Sequence, residues 1–176
     1  DYSGFDDEVG MTVGEWIEEN TTYPTIESGT ALDDPINKIM GYSNTCALNE
    51  FNDSDYGWDY EVLVAGRIDF IMDNNAAPAS TSGWYMPSAK EMSLLISGPY
   101  DGNIDDIGYL DEPLVSNLAL VNGKLAQISG AAAIDGVYWT SNEASAVQVF
   151  TIKTDNALLM ETSKGGSNKM RPILAF

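Results

Sequence analysis

Gly136-Val-Tyr-Trp-Thr-Ser-Asn-Glu143 opens the stretch that decides the fold, and Met170-Arg-Pro-Ile-Leu-Ala-Phe176 closes it. Between them apolar and polar residues alternate from Ala146 to Glu161, and Lys164-Gly-Gly-Ser167 marks a turn. This spacing predicts a short aromatic strand leading into an antiparallel meander, with strands at 146–153, 157–162 and 169–176. Val147, Val149 and Thr151 point one way, and Gln148, Phe150 and Ile152 the other, so both faces carry apolar groups. Such a sheet is expected to be covered partly by helices and partly by loops. Pro172 cannot donate a ladder hydrogen bond and belongs at an edge or a bulge.

Working outward, Trp84-Tyr-Met-Pro87 reads as a short buried strand closed by proline. Ser88-Ala-Lys-Glu91 then has the capping-box spacing, in which hydroxyl and carboxylate satisfy each other's backbone N–H groups. Met92, Leu95 and Ile96 give that helix its buried face, and Gly98-Pro99 ends it. An earlier helix is expected from Asp59 to Met72, on Val62, Ala65, Ile68 or Asp69, and Met72. Leu63, Phe70 and Ile71 widen its apolar surface, which predicts burial against the sheet. Residues 76–83 form a loop within one domain. A third helix is expected from Glu112 or Pro113 to Val121, followed by a short strand at 124–128. Nearer the start, Met11-Thr-Val13 suggests a strand and Trp16-Ile17 an anchor beneath a loop. Asp33-Asp-Pro35 marks a turn or helix start, with Gly41 ending the turn that follows and an acidic loop at 52–59.

The 176 residues fit one domain, 1–176, long enough to bury a core without crosslinks. No apolar run approaches the ~18 residues of a membrane span, so the composition is that of a soluble chain without direct membrane insertion. No basic run followed by an apolar one stands at the start, so no targeting peptide is read there. Cys46 is the single cysteine and histidine is absent, which excludes an internal disulfide framework, multi-cysteine zinc sites and His-based triads. Eight basic against 27 acidic residues give a net charge of -19, which repels a nucleic-acid backbone. Residues 1–135 carry 4 of those basic and 24 of the acidic side chains, whereas 136–176 is nearly neutral.

One acidic loop has the spacing of a metal site. Asp101, Asn103, Asp105 and Glu112 occupy the first, third, fifth and twelfth places of an EF-hand-like calcium loop. Asp106 at the sixth place, where a sharp turn calls for glycine, and Pro99 in the entering helix weigh towards a solvated loop instead.

Three ordered motifs carry a resemblance: Gly83-Trp-Tyr-Met-Pro-Ser-Ala-Lys-Glu-Met-Ser-Leu-Leu95, Tyr138-Trp-Thr-Ser-Asn-Glu143 and Met170-Arg-Pro-Ile-Leu-Ala-Phe176. Together they resemble the bacterial C-type-lectin-like domains of Bacteroides-type surface proteins, related to the variable proteins of diversity-generating retroelements and to the formylglycine-generating enzymes. The resemblance covers 83–176 well and 41–72 loosely, and leaves 1–40 as an N-terminal extension. It implies an α+β, C-type-lectin-like fold: a small twisted antiparallel sheet with flanking helices and long loops. Trp84, Pro87, Trp139 and Arg171 would be scaffold. Enzymatic activity does not carry over, because the formylglycine-generating branch uses two cysteines and Cys46 is alone. The classical calcium and sugar signatures are also absent.

What the resemblance implies is a non-enzymatic ligand-binding module of adhesin or receptor type, presenting a variable surface from its meander to a protein or glycan ligand. Carried over in register, its positions are Asn142, Ala144, Gln148, Thr151, Lys153, Leu158, Met160 and Glu161. Leu158-Leu-Met160 reads either as a displayed apolar patch or as core, with Leu159 turned outward. The alternative function is a structural subunit or tip domain of a bacterial surface appendage, its acidic front half contacting neighbouring chains. The implied location is the bacterial cell surface or the secreted fraction, with a phage particle as the other setting.

Overall fold

The computed structural model describes residues 4–112 and 114–176, the side chain of Asp69 excepted, so a helix start at Pro113 lies outside the described residues. Helices lead and a meander follows: α1 (Phe5–Val9), α2 (Val13–Asn20), α3 (Gly41–Asn52), α4 (Gly57–Tyr60), α5 (Leu63–Asn74), α6 (Ala89–Ser97), α7 (Ile104–Ile107) and α8 (Ser116–Leu125). The antiparallel sheet is β1 (Val137–Ser145), β2 (Gln148–Lys153) and β3 (Leu158–Ser163), in that order. The architecture is α+β with a small three-stranded antiparallel sheet.

Two apolar clusters share the sheet between them. The register pairs Thr151 with Trp139 and Met160, and Ile152 with Tyr138 and Leu159, so side chains on paired residues share a face. Tyr138, Phe150, Ile152 and Leu159 meet Met92 and Ile96 of α6, Ile104 and Ile107 of α7, and Ile134. Trp139 and Val149, on the opposite face, join Phe5, Val13, Ile17, Leu48, Phe51, Ala65 and Ile68 from the front helices. Both faces are therefore apolar, as the alternation predicts, and helices supply cover on each side.

The Ser88 capping box forms as its spacing requires: Ser88 Oγ accepts from Glu91 N–H and the Glu91 carboxylate accepts from Ser88 N–H at 2.8 Å. The same Glu91 Oε2 accepts from Gly41 N–H at 2.9 Å, and Oε1 from the Tyr85 hydroxyl at 3.0 Å. One carboxylate thus joins the starts of α3 and α6 to the Trp84–Pro87 segment. Burial, and next the nearby Glu91 charge, pushes the Tyr85 phenol well above its ordinary value.

Several expectations are corrected. Met11–Val13 is not a strand: Thr12 caps α2 in a second capping box with Glu15, and local hydrogen bonds override the β-branched run. Trp16 and Ile17 lie on that helix. Gly41 begins α3 instead of ending a turn, and a Cβ there would lie 2.5 Å from the Met86 carbonyl oxygen, so its role is close packing. The expected 59–72 helix is interrupted after Tyr60, and α5 restarts at Leu63. Val62, Ala65 and Ile68 are buried, but Leu63, Phe70 and Met72 are exposed, so α5 packs one-sidedly, chiefly on α3. The third helix runs 116–125, which absorbs the start of the strand expected at 124–128, and the polar loop before it contains α7.

The closing segment makes no third meander strand. Lys169 bridges to Tyr138 and Ile173 to Tyr85 as isolated pairs, each held by two backbone hydrogen bonds, with Pro172 between them where no donor is needed.

Candidate functional site

Strand β1 has its outer edge covered. Trp139 N–H donates to the Lys169 carbonyl and Ser141 N–H to the Pro87 carbonyl, both at 2.9 Å; Glu143 N–H donates to the Ile26 carbonyl at 2.9 Å, and Ser28 N–H returns to the Glu143 carbonyl. Strand β3 is different. Gly108 closes against Leu158, but beyond it, among the described residues, no backbone hydrogen bond reaches the outer side of β3 from another segment.

Beside that open edge runs a groove of about 400 Å³ lined by Thr30, Asp105, Tyr109, Phe150, Leu158, Leu159, Met160 and Glu161. Three of the eight expected binding positions, Leu158, Met160 and Glu161, therefore lie together. Leu159 is buried in the core, whereas Leu158 and Met160 are half-buried and Glu161 is exposed. This resolves the two readings of Leu158-Leu-Met160: the patch is at the surface and Leu159 is the core residue.

The other five positions separate. Asn142 is 1% exposed, and its Oδ1 accepts from Ala89 N–H at 2.9 Å, holding the first turn of α6 against β1. Thr151 is fully buried, its hydroxyl donating to the Met160 carbonyl at 3.3 Å. These two are corrected to scaffold, because both are buried and the Asn142 Oδ1 and the Thr151 hydroxyl are hydrogen-bonded inside the fold. Ala144 is half-buried and packs against the α6 cluster. Gln148 and Lys153 are half-buried, with Lys153 paired to Asp155 at 2.9 Å. The register also divides the strand positions: Lys153, Leu158 and Met160 share one face, and Gln148 and Glu161 the other. They converge only at the β3 edge, where both faces are accessible.

Tyr109 was not among the expected site residues, and Asp105 was expected only as a calcium ligand. Tyr109 is 73% exposed beside the edge strand, and its signal in the sequence is an aromatic residue inside an otherwise acidic loop. Burial, and next the neighbouring Asp106 charge, raises the Asp105 carboxyl above its ordinary range.

The calcium-loop expectation for Asp101, Asn103, Asp105 and Glu112 is corrected by the same segment. Residues 104–107 coil into α7, and Asn103 caps it, accepting from Asp105 N–H at 3.2 Å. Asn103 Oδ1 also accepts from the Asn37 amide, while its own amide donates to the Thr30 carbonyl at 2.6 Å. A side chain spent on clasping three segments is not free to face an ion. Among the described residues no three acidic or sulfur ligands gather at one point.

Behind the sheet lies a buried ion pair the strand pattern did not announce. Glu143 and Lys164 contact each other with side chains 1% exposed, and Glu143 Oε2 also accepts from Gly14 N–H at 2.6 Å, at the start of α2. Burial pushes the Glu143 carboxyl up, against the opposing pull of Lys164 and Gly14 N–H. A Cβ at Gly14 would meet Glu143 Oε2 at 2.7 Å, so the glycine makes this approach possible. The pair fastens the front helices to the meander.

Neither a protein-family model nor a curated protein sequence matches the chain. A solved structure does: a fimbrial protein from Bacteroides ovatus is similar, with a TM-score of 0.66 and 18% identity over 94% of this chain. The match spans 32% of that protein's chain, so the likeness concerns one part of a longer molecule. At this identity the likeness shows a shared fold. Among the described residues no helix is long and apolar enough to cross a membrane.

Proposed function

We propose that this chain is a domain of a bacterial surface appendage, a structural subunit or tip domain of fimbrial type, and that it is not an enzyme. The observation that carries the reading is the fold it shares, over nearly its whole length, with part of a fimbrial protein. The asymmetry of the sheet supports it: β1 is covered by the chain itself, while β3 leaves an edge and a groove for a neighbour. The resemblance of the Trp84–Leu95, Tyr138–Glu143 and Met170–Phe176 motifs to C-type-lectin-like surface domains points to the same cell-surface setting.

The test uses filaments sheared from cells that express the full-length protein. Antibody raised against this chain should decorate them in electron micrographs, along the shaft for a subunit and at one end for a tip domain. Label confined to the cell interior, with bare filaments, would sink the proposal.

A second reading is favoured by the groove itself. There the chain captures a protein or glycan ligand through Leu158, Met160 and Glu161, with Gln148 and Lys153 at the margin. Alanine substitution along β2 and β3, one face at a time, tests it by ligand capture.

A further inference from the structure

We propose a second binding site, separate from the β3 edge groove: the surface around Trp58 takes a basic peptide segment of a partner, with a lysine or arginine side chain lying over the indole. This does not rest on the appendage reading, since it follows from the build of residues 49–66 alone.

Trp58 is 92% exposed, whereas Trp139, used for packing, is 6% exposed. A tryptophan left in water forgoes the largest apolar burial any side chain offers, unless a partner supplies it. The segment presenting it is held firmly. Asn52 clamps Val62 in both directions, its Oδ1 accepting from Val62 N–H at 2.8 Å and its amide donating to the Val62 carbonyl at 3.3 Å. Gly57 packs so tightly that a Cβ there would stand 1.9 Å from the Asn52 carbonyl oxygen. Residues 53–61 therefore form a fixed projection whose tip is the indole, and a preorganised site loses less on binding than a mobile loop.

Two depressions meet at this projection. One, of about 340 Å³, is lined by Trp58, Asp59, Glu61, Leu63, Trp139 and Gly165 among others. The other is lined by Asn49, Asp53, Trp58 and Glu61 among others. Trp58 and Glu61 thus wall both, with Asp59 on one side and Asp53 on the other. Glu61 is set in place by Gly66, where a Cβ would come within 2.6 Å of its Oε1. Lys164, at the floor of the first depression, is buried and paired with Glu143, so its charge is already matched there. An indole that shares its depressions with the Asp53 and Glu61 carboxylates attracts a cation through the ring quadrupole and through Coulomb attraction together. The net charge of -19 raises the encounter rate of basic segments with the molecule as a whole. A neutral saccharide would stack on the indole and donate hydroxyl groups to the carboxylates, but it gains no ion-pair attraction, so salt dependence separates it from a basic segment.

The experiment titrates the 176-residue chain with an acetylated peptide of alternating glycine with lysine and arginine, and in parallel with the same peptide carrying glutamine at every basic position. The readouts are calorimetry and the indole N–H resonance lost in Trp58→Ala. The basic peptide should bind and shift that resonance, and affinity should fall severalfold from low salt to about 0.5 M. Trp58→Ala should weaken binding by about five- to tenfold and Glu61→Gln by about threefold. The melting temperature of Trp58→Ala should match the parent, because the ring supports nothing beneath it. Equal binding of the basic peptide to Trp58→Ala, no binding to the parent, or tighter binding of the glutamine peptide or of a neutral oligosaccharide would each overturn the proposal.

Discussion

The two edges of the sheet use the same three strands to opposite ends. At the β1 edge, segments 26–28, 87 and 169 supply backbone partners, and the polar side chains turn inward: Thr140, Ser141, Asn142 and Glu143 are all buried. At the β3 edge, Leu158 and Met160 remain half-buried, Glu161 is exposed, and Tyr109 stands beside them in water. Buried polar atoms are costly unless paired, so the β1 edge is where stability is at stake. Exposed apolar side chains on an unpaired edge contribute little to folding and much to contact with another molecule. Polar composition therefore marks the wrong edge as the surface, and hydrophobic composition marks the wrong edge as the core.

The widest gap between the edges should come from the buried pair. Lys164→Ala leaves the Glu143 carboxylate dry and without its cation, and is expected to cost about 3–5 kcal/mol, read as a lower urea midpoint. Replacing both partners, Glu143→Gln with Lys164→Met, should restore most of that loss, because no buried charge is then stranded. A double variant as unstable as the single one would mean that the pair is not what holds α2 to the meander. Next comes Asn142→Ala, which strips Ala89 N–H of its acceptor; about 1–3 kcal/mol should be lost, with faster amide exchange in the first turn of α6. An unchanged midpoint would mean that the Asn142–Ala89 hydrogen bond contributes nothing to holding α6 against β1.

Those residues also show how far the sequence could be read. The capping box at Ser88, the apolar face of α6 and the alternation of β2 depend on neighbours close in sequence, and they were legible. Helix α3 was not, because its buried side includes Asn44 and Thr45 while Tyr42 is exposed, which blurs the helical period. Asn44 reaches Ser141, and Thr45 reaches Met86, across the fold. Partners so distant leave no local trace. Asn142 and Thr151 misled for the same reason: each is a polar residue in a strand whose acceptor or donor lies in another element. Of the candidate surface, the Leu158–Glu161 run was legible as a patch, but its partners Tyr109 and Asp105 come from a loop some fifty residues earlier.

Glu143 also gives the comparison a pH signature. Its folded carboxyl is raised above the usual value of 4.5, so between that value and the raised one the native state holds a proton that the unfolded chain has released. Its contribution is then fully present below the unfolded value and is lost as pH rises through the folded one. Melting temperature followed against pH should show that decline in the parent relative to the Glu143→Gln, Lys164→Met variant, since subtracting the two profiles removes the general acidity of the surface. Parallel profiles would show that the carboxyl titrates alike in both states.

The smallest effect on stability should accompany the largest on contact, and this is the sharpest use of the comparison. Replacing Gln148, Lys153 and Met160 by alanine removes side chains at the margin of the β3 edge and one exposed ion pair, Lys153 with Asp155, worth at most about 1 kcal/mol. The melting temperature should stay close to the parent. Filament incorporation or ligand capture should be lost, because the apolar and polar groups that line the edge go together. Lys153 and Met160 lie on one face and Gln148 on the other, so separate variants report which face a partner covers. Loss with Met160→Ala alone points to an apolar contact beside Leu158, and loss with Gln148→Ala alone to the face shared with Glu161. If all three can be removed with both stability and contact intact, the β3 edge is merely uncovered, and the partner surface lies elsewhere on the molecule.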